Sequence, residues 1–273
     1  MNGLSEKIIH LTAQAGFDLG GITPAEPLPA FEQLRRWTAR GFAGRLEYLR
    51  RDPEKRCDPK SLAPWAKSVV CVGLCYPGLE TRDPRQGRIA RFAWPDDYHR
   101  TVKTKLKYVA TQIEKLLDQP IRSRICVDTS PILERALAAR AGLGFIGKNT
   151  LLIHPKVGSF FVLGELITDA AIPAREQNES GHNRCGDCRA CLEACPTGAL
   201  IHGAPGRKEP PSGKEPPSGV AWLDARRCIS CLNQGRQDEI PEDLKFRMGR
   251  WAHGCDVCQE VCPYNQSKGG NTK

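Results

Sequence analysis

The sequence predicts an α+β protein in two parts: a mixed α/β region over residues 1–172 with its own core, followed by a region over 173–273 organised by metal ligation. Three observations predict this. Residues 1–172 alternate helical periodicities with short apolar runs bounded by Pro and Gly, the pattern of buried strands between helices. Nine of the 13 cysteines crowd between Cys185 and Cys262. The same C-terminal stretch lacks long apolar periods, as expected where ligand bonds substitute for a core. At roughly 150 residues per domain, 273 residues also correspond to about two domains.

In the first part, Leu4, Ile8, Leu11 and Ala15 recur at helical spacing with Glu6, Lys7 and His10 between them, so residues 1–20 read as an amphipathic helix. Ser68-Val-Val-Cys-Val-Gly-Leu-Cys75, set between Pro64 and Pro77-Gly78, reads as a buried strand. Arg124-Ile-Cys-Val-Asp128 is a second strand, and Leu133 to Ala141 a helix stopped by Gly142. Leu151 to His154, a turn at Pro155 to Gly158, and Phe160 to Ile167 predict a hairpin. In the second part Lys208-Glu-Pro-Pro-Ser-Gly213 repeats at once as residues 214–219, which makes 203–220 a solvated Pro/Gly-rich insertion.

Composition excludes several classes. The 40% apolar content together with 26 Gly is ordinary for a globular chain and argues against disorder. Thirteen cysteines in 273 residues are too dilute for a disulfide scaffold. The N-terminus has no unbroken apolar stretch suited to a secretory signal, Arg35-Arg36 is not followed by one, and no window approaches 18 apolar residues. A cytoplasmic protein without membrane association is expected, where clustered cysteines are metal ligands. The net charge of +9 favours a polyanionic partner.

The strongest chemical signal is Cys185-x2-Cys188-x2-Cys191-x3-Cys195-Pro196, the bacterial ferredoxin spacing for a 4Fe-4S cluster. A second set follows: Cys228, Cys231, then Cys255-x2-Cys258-x3-Cys262-Pro263. In two-cluster ferredoxins the fourth cysteine of a run ligates the other cube. Cys185, Cys188, Cys191 and Cys262 are therefore assigned to cluster one. Cys195, Cys255 and Cys258, with one of Cys228 and Cys231, belong to cluster two. The competing reading is a zinc site from Cys228-x2-Cys231 and Cys255-x2-Cys258, which leaves Cys195 and Cys262 without purpose.

Gly142-x-Gly144-x-x-Gly147 matches the dinucleotide fingerprint, but that motif must follow a strand and open a helix, whereas this one follows a predicted helix. Nicotinamide binding is not expected. No CxxCH haem site and no D-x-H-x-x-G cobalamin ligand occurs, Asp97-x-His99 being followed by Arg100-Thr101-Val102. The residues themselves thus define a two-cluster iron–sulfur protein with an α/β companion and an unnamed electron acceptor.

Asp128-Thr-Ser-Pro-Ile-Leu-Glu-Arg135, Ala141-Gly-Leu-Gly-Phe-Ile-Gly-Lys-Asn-Thr150 and Gly164-Glu165, with the first cysteine run, resemble the epoxyqueuosine reductases of tRNA modification. Arg88 to Ala93, Asp97-Tyr-His99, Asp224 to Ser230 and Gly254 to Asn265 extend the resemblance along nearly the whole chain. It implies cobalamin bound without a lower histidine, two 4Fe-4S clusters, and reduction of epoxyqueuosine at the wobble position of tRNA to queuosine and water. It implies further that cob(I)alamin is the reductant and that an external ferredoxin or flavodoxin recharges it through the clusters; separately, a monomer is expected. It implies cobalamin contacts from Arg56, Arg91, Asp128, Lys148, Asn149, Thr150, Leu152, Glu165 and Ser230 in the first part and its junction with the second. Asp128 matches the family's acid, a role that calls for a carboxyl buried enough to hold a proton; its alternative is to cap the helix beginning near Pro131. Tyr98 and His99 are the next candidates for the proton source.

The chain departs from the family at Trp65, where Gly is usual, at Phe145, where Trp is usual, at Pro95, and at Cys231, where Tyr is usual. The last departure leaves Cys228 as the expected ligand of cluster two. Alternatives from other classes are a cobalamin-dependent reductase of a small epoxide or organohalide, and a cobalamin-free electron carrier. Arg100, Lys103, Lys105 and Lys107, and a second stretch of Lys245, Arg247 and Arg250 beside Trp251, are the basic groups expected to meet RNA.

Overall fold

The computed structural model describes residues 2–76, 87–174, 184–203, 221–234 and 240–266. The tandem repeat at 208–219 lies outside them. In the first part the helices are α1 (Asn2–Gln14), α2 (Phe31–Ala39), α3 (Pro53–Cys57), α4 (Tyr98–Leu117) and α5 (Glu134–Arg140). The strands there are β1 (Leu19–Pro24), β2 (Ser68–Cys75), β3 (Arg88–Ile89), β4 (Ser123–Cys126), β5 (Phe145–Ile146), β6 (Leu152–Ile153) and β7 (Phe161–Thr168). The second part holds short elements: α6 (Ala190–Ala194), β8 (Leu200–His202), β9 (Ala221–Leu223), α7 (Ile229–Asn233), α8 (Glu242–Met248), β10 (Trp251–His253), α9 (Val257–Glu260) and α10 (Pro263–Gln266).

Four strands form one antiparallel sheet in the order β1-β2-β7-β4. Its centre is β2, whose Val69, Val70, Cys71 and Val72 are buried on both faces. A β-branched run without a polar face has nowhere else to go. Helices cover each side. On one, Val70, Val72 and Leu166 meet Ile8 of α1 and Val102, Leu106, Val109 and Ile113 of α4, an apolar stripe at spacings of three and four. On the other, Val69, Cys71 and Ile167 meet Leu137 and Ala138 of α5. Gly164 of β7 permits the close crossing of α4, since a Cβ there would stand 2.5 Å from Val102 Cγ1. Gly164→Val is expected to destabilise the protein by about 1–3 kcal/mol through overpacking, measured as a lower melting temperature.

The strand at 68–75 and the helix around 134–140 form where the sequence predicts them. Two elements differ. The first helix ends at Gln14; Gly16 turns the chain at φ 79°, and residues 19–24 become β1. The hairpin predicted over 151–167 reduces to a single bridge between His154 and Gly158. Instead β6 pairs with β5, while β7 pairs along its length with β2, from Cys75 opposite Phe161 to Ser68 opposite Thr168. An eight-residue ladder buried on both faces outweighs a short local one. The glycine loop follows α5 and enters β5, not a helix. Gly144 is required there, because at φ 153° its Cβ would lie 2.3 Å from the Ile153 carbonyl oxygen.

The two compositional parts share packing. β3 pairs parallel with β10. Trp37 Nε1 donates to the Leu223 carbonyl at 2.6 Å, and Phe42 packs edge-on to Trp222 at 5.9 Å. The C-terminal part thus rests on the sheet domain at several places rather than on one linker. Among the described residues no helix is long and apolar enough to cross a membrane.

Candidate functional site

The cysteine run beginning at Cys185 wraps because Gly186 takes φ 50° and α6 starts at Ala190. This brings Cys185, Cys188 and Cys191 onto one wall of a cavity of about 260 Å3, and Cys262, delivered from the end of α9, onto the other. Lys148 and Asn149 line it too. Lys148 is buried and donates Nζ to the carbonyls of Gly186 at 2.6 Å and Cys188 at 3.0 Å. Burial, then the neighbouring Cys185, Cys262 and Cys188 sulfurs, push the Cys191 thiol up to about 11. Four soft sulfurs that repel one another when ionised, beside a lysine, are a donor set that a cationic iron cluster satisfies.

The second centre gathers at helix ends: Cys195 after α6, Cys228 before α7, Cys255 just before α9 and Cys258 within it. Cys255 is pushed up to about 12 by burial and by Cys228, Asp256 and Cys195. Cys258 is driven higher still by burial and by Cys228, Cys255, Cys191 and Cys195, so the two centres adjoin. The Cys195 sulfur accepts the Ala199 N–H at 3.3 Å. Cys231 hydrogen-bonds Cys228, which lowers Cys228 to about 7, while Cys231 itself faces Arg135 and Arg45. Among the described residues no three Cys, His, Asp or Glu side chains converge on a single ion. Thiolates about 2.3 Å from one zinc would have to approach to about 4 Å, closer than the corners of a cube demand.

Beyond Cys231, exposed and half-buried polar side chains surround Asp128 and mark a candidate substrate cleft. Asp128 follows β4 in the left-handed region at φ 57°. Its Oδ2 lies 3.3 Å from His99 Nε2, and His99 Nδ1 lies 2.7 Å from Asp97 Oδ1. Asp97 also caps α4 by accepting the His99 N–H at 3.0 Å, and its carboxyl is held below the usual range by those two bonds. Tyr98 stacks on His99 at 4.0 Å. Burial, then Asp128 and Glu134, push the Tyr98 phenol far above its ordinary value. Tyr48 feels both Asp128 and Cys231, so it lies near the acid and near the second cysteine centre.

Two expectations for Asp128 are corrected. Its side chain is 58% exposed, not buried by the protein. Nor is it a cap: α5 begins at Glu134, after Leu133, with no side-chain cap. Two other carboxyls are withdrawn from water, Glu134 partly and Glu165 completely. Glu134 accepts the Asp128 N–H at 2.6 Å and is raised to about 7, chiefly by burial. Glu165 is 0% exposed.

The other expected cofactor contacts divide. Arg56 donates to the Tyr48 carbonyl at 2.7 and 3.2 Å and stands over its ring. Thr150, at φ 63°, offers its carbonyl to Arg135 of the cleft. Ser230, next to Cys231, accepts from Gln234 at 2.9 Å. Arg91 is drawn toward α9: its N–H donates to Asp256 at 2.8 Å and its guanidinium lies 4.3 Å over Phe160. Lys148 and Asn149 belong to the four-cysteine cavity. Leu152 and Glu165 are buried, which argues against the direct cofactor contact expected of them. Glu134 and Tyr48 had no assigned role in the sequence; Glu134 lies within the 128–135 motif, and only its burial marks it out.

Of the predicted basic groups, Lys105 is committed elsewhere. Its Nζ donates to the Ala15 and Gly16 carbonyls at 2.7 and 3.1 Å, closing the end of α1. Arg100, Lys103 and Lys107 remain exposed at spacings of three and four. They form a stripe up α4 from the turn that presents His99 to Asp128. Lys245 pairs with Glu242, while Arg247 and Arg250 are exposed.

Fold and site together define an α+β iron–sulfur oxidoreductase, with two four-cysteine centres leading to an acid-bearing cleft. Residues 56–129 match the family described as epoxyqueuosine reductase QueG, DUF1730, and residues 184–265 match the 4Fe-4S double cluster binding domain. An epoxyqueuosine reductase of Leadbetterella byssophila is 37% identical over 266 residues, 97% of this chain and 81% of that one. The chain belongs to the epoxyqueuosine reductase family and carries two 4Fe-4S clusters. An epoxyqueuosine reductase solved with an epoxyqueuosine-modified tRNA-Tyr stem loop is similar at TM-score 0.82 and 33% identity, covering 99% of this chain and 67% of that one. The Bacillus subtilis enzyme, solved with its catalytic aspartate loop swung out of the active site, is similar at TM-score 0.77 and 32% identity, covering 98% and 66%.

Proposed function

We propose that this chain reduces epoxyqueuosine in the tRNA anticodon loop to queuosine. The observation that carries the reading is the Asp97–His99–Asp128 chain, with Tyr48 near both Asp128 and Cys231 of the second cysteine centre. In this reading residues 1–172 bind substrate and cofactor and residues 173–273 deliver electrons. Cys185, Cys188, Cys191 and Cys262 hold one cluster; Cys195, Cys228, Cys255 and Cys258 hold the other. The donor is an external ferredoxin or flavodoxin, and the protein acts as a cytoplasmic monomer.

The residues around Asp128 would hold a corrinoid through its peripheral groups. Both ring nitrogens of His99 are already engaged, by Asp97 and Asp128. The groups around it, Tyr48, Arg56, Arg135, Ser230 and the Thr150 backbone, are hydrogen-bonding groups suited to peripheral amides. When bound, cobalamin supplies the low-potential electrons for cleavage of the carbon–oxygen bond. The chain's own residues handle the proton. Asp97 accepts from Nδ1–H and orients the ring, so Nε2 passes a proton to or from Asp128. Asp128 delivers it to the departing oxygen. Two electrons and two protons convert the epoxide to an alkene and water.

Anaerobic purification should yield a corrinoid visible spectrum and turnover of epoxyqueuosine-containing tRNA. Absence of both would overturn the reading. Affinity for tRNA is expected to fall steeply with salt through counterion release. Charge reversal at Arg100, Lys103 and Lys107 should weaken it and reduce the salt slope by about one for each phosphate no longer neutralised, with cluster spectra unchanged. Salt-independent binding would point instead to a small epoxide or organohalide substrate.

A further inference from the structure

A buried acid has no part in the mechanism above. Glu165 sits in the middle of β7, opposite Cys71 of β2 and Cys126 of β4. It is completely buried, and no donor reaches either carboxyl oxygen. The group its carboxyl meets is the carboxyl of Glu134, from the first turn of α5. Two ionised carboxylates in hydrogen-bond contact inside a core repel one another strongly, and an acceptor facing an acceptor forms no bond.

Among the described residues no cation is set against Glu165 to relieve this. The groups facing it are Cys71 and Cys126, both kept protonated by burial, and Glu134. Arg135, Asp128 and Tyr98 interact with Glu134, and Arg140 with Cys71, rather than with Glu165. One proton resolves the whole arrangement. A Glu165 O–H donating to Glu134 satisfies both acids, and Glu134 Oε1 then accepts the Asp128 N–H at 2.6 Å. That bond closes on a residue whose backbone is left-handed at φ 57°, a conformation that needs holding in a non-glycine residue.

We propose that Glu134 and Glu165 share a single proton and that this acid pair, Glu165 buried and Glu134 half-buried, is the latch that positions Asp128. The latch role rests on the reading of Asp128 as the acid; the shared proton does not. Glu134 and Glu165 are thus positioning residues, acting on the reaction through Asp128 alone. The pair also makes the fold hold a proton that the unfolded chain releases above about 4.5, the ordinary glutamate value. Glu134 is raised to about 7. The folded state therefore binds more protons than the unfolded one across that window, so stability falls as pH rises through it.

The test uses the cluster-loaded, full-length protein. At pH 7 its infrared spectrum should contain the carbonyl band of a protonated carboxylic acid. Glu165→Gln, whose amide donates in place of the proton, should abolish that band. It should also flatten the fall in melting temperature between pH 5 and 7, and hold Asp128 amide exchange within about threefold of the original. Glu134→Leu should speed Asp128 amide exchange at least about tenfold with iron content retained. Should that variant not fold, Glu134→Gln, a weaker neutral acceptor, should speed it at least about threefold. No acid band at pH 7, a band that survives Glu165→Gln, or unchanged exchange at Asp128 in the folded Glu134 variant overturns the proposal. A failure of Asp128 as the acid would appear only in turnover and leave these readouts intact.

Discussion

Asp128→Asn should lower turnover of epoxyqueuosine-containing tRNA at least about a hundredfold while the protein keeps its clusters, its cobalt and its melting temperature. The structure sharpens this expectation in two ways. Asp128 caps no helix, so the substitution removes no cap bond. Asn also tolerates the left-handed backbone that Asp128 adopts at φ 57° better than most residues, so local strain is not increased. What the variant loses is a transferable proton. If turnover stays near normal, the proton must come from elsewhere. His99 is then the candidate, because burial holds the Tyr98 phenol too firmly protonated to serve.

The second large effect is expected at the cysteines. The intact protein should contain about eight iron and eight labile sulfides per chain. Cys228→Ala should bring iron down to about four, because Cys228 shares its surroundings with Cys195, Cys255 and Cys258. Cys231→Ala should leave the iron near its full complement. Its thiol hydrogen-bonds Cys228 but turns toward Arg135 and Arg45 on the cleft side. Cys262→Ala should strip the first centre, although it lies far along the chain from Cys191, because both line one cavity. Iron analysis with spectroscopy of each variant checks all three, and loss of iron in Cys231→Ala alone would reverse the ligand choice.

Much of this site was legible because its chemistry is local. Three cysteines at intervals of two residues wrap one cube whatever surrounds them, and the exchange of fourth ligands is a rule of the motif. The Val-Val-Cys-Val run of β2 had to be buried on both faces, and α5 had to stop near Gly142, which turns at φ 85°. The glycine loop could be separated from a nucleotide site by asking which element precedes it. Family membership followed from motifs in sequence order.

What only the tertiary structure decided concerns groups distant in sequence and neutral in pattern. Lys105 is as basic as Lys103, yet it closes the end of α1, because the packing of α4 against α1 sets its Nζ over the Ala15 and Gly16 carbonyls. β7 takes β2 and β4 as partners rather than β6, since sheet pairing is settled by the burial of whole strands and not by the nearest turn. Asp128 is open to solvent and Glu165 closed to it, although both sit beside strands of the same sheet. In the sequence Glu165 reads as a cofactor contact and Glu134 as an unassigned member of the 128–135 motif, until the register of β7 and the seat of α5 bring the two carboxyls together at the edge of the core. Spacing along the chain therefore determined which atoms the metals use, while packing determined which acids carry protons, because a carboxyl's proton depends on what removes water from around it.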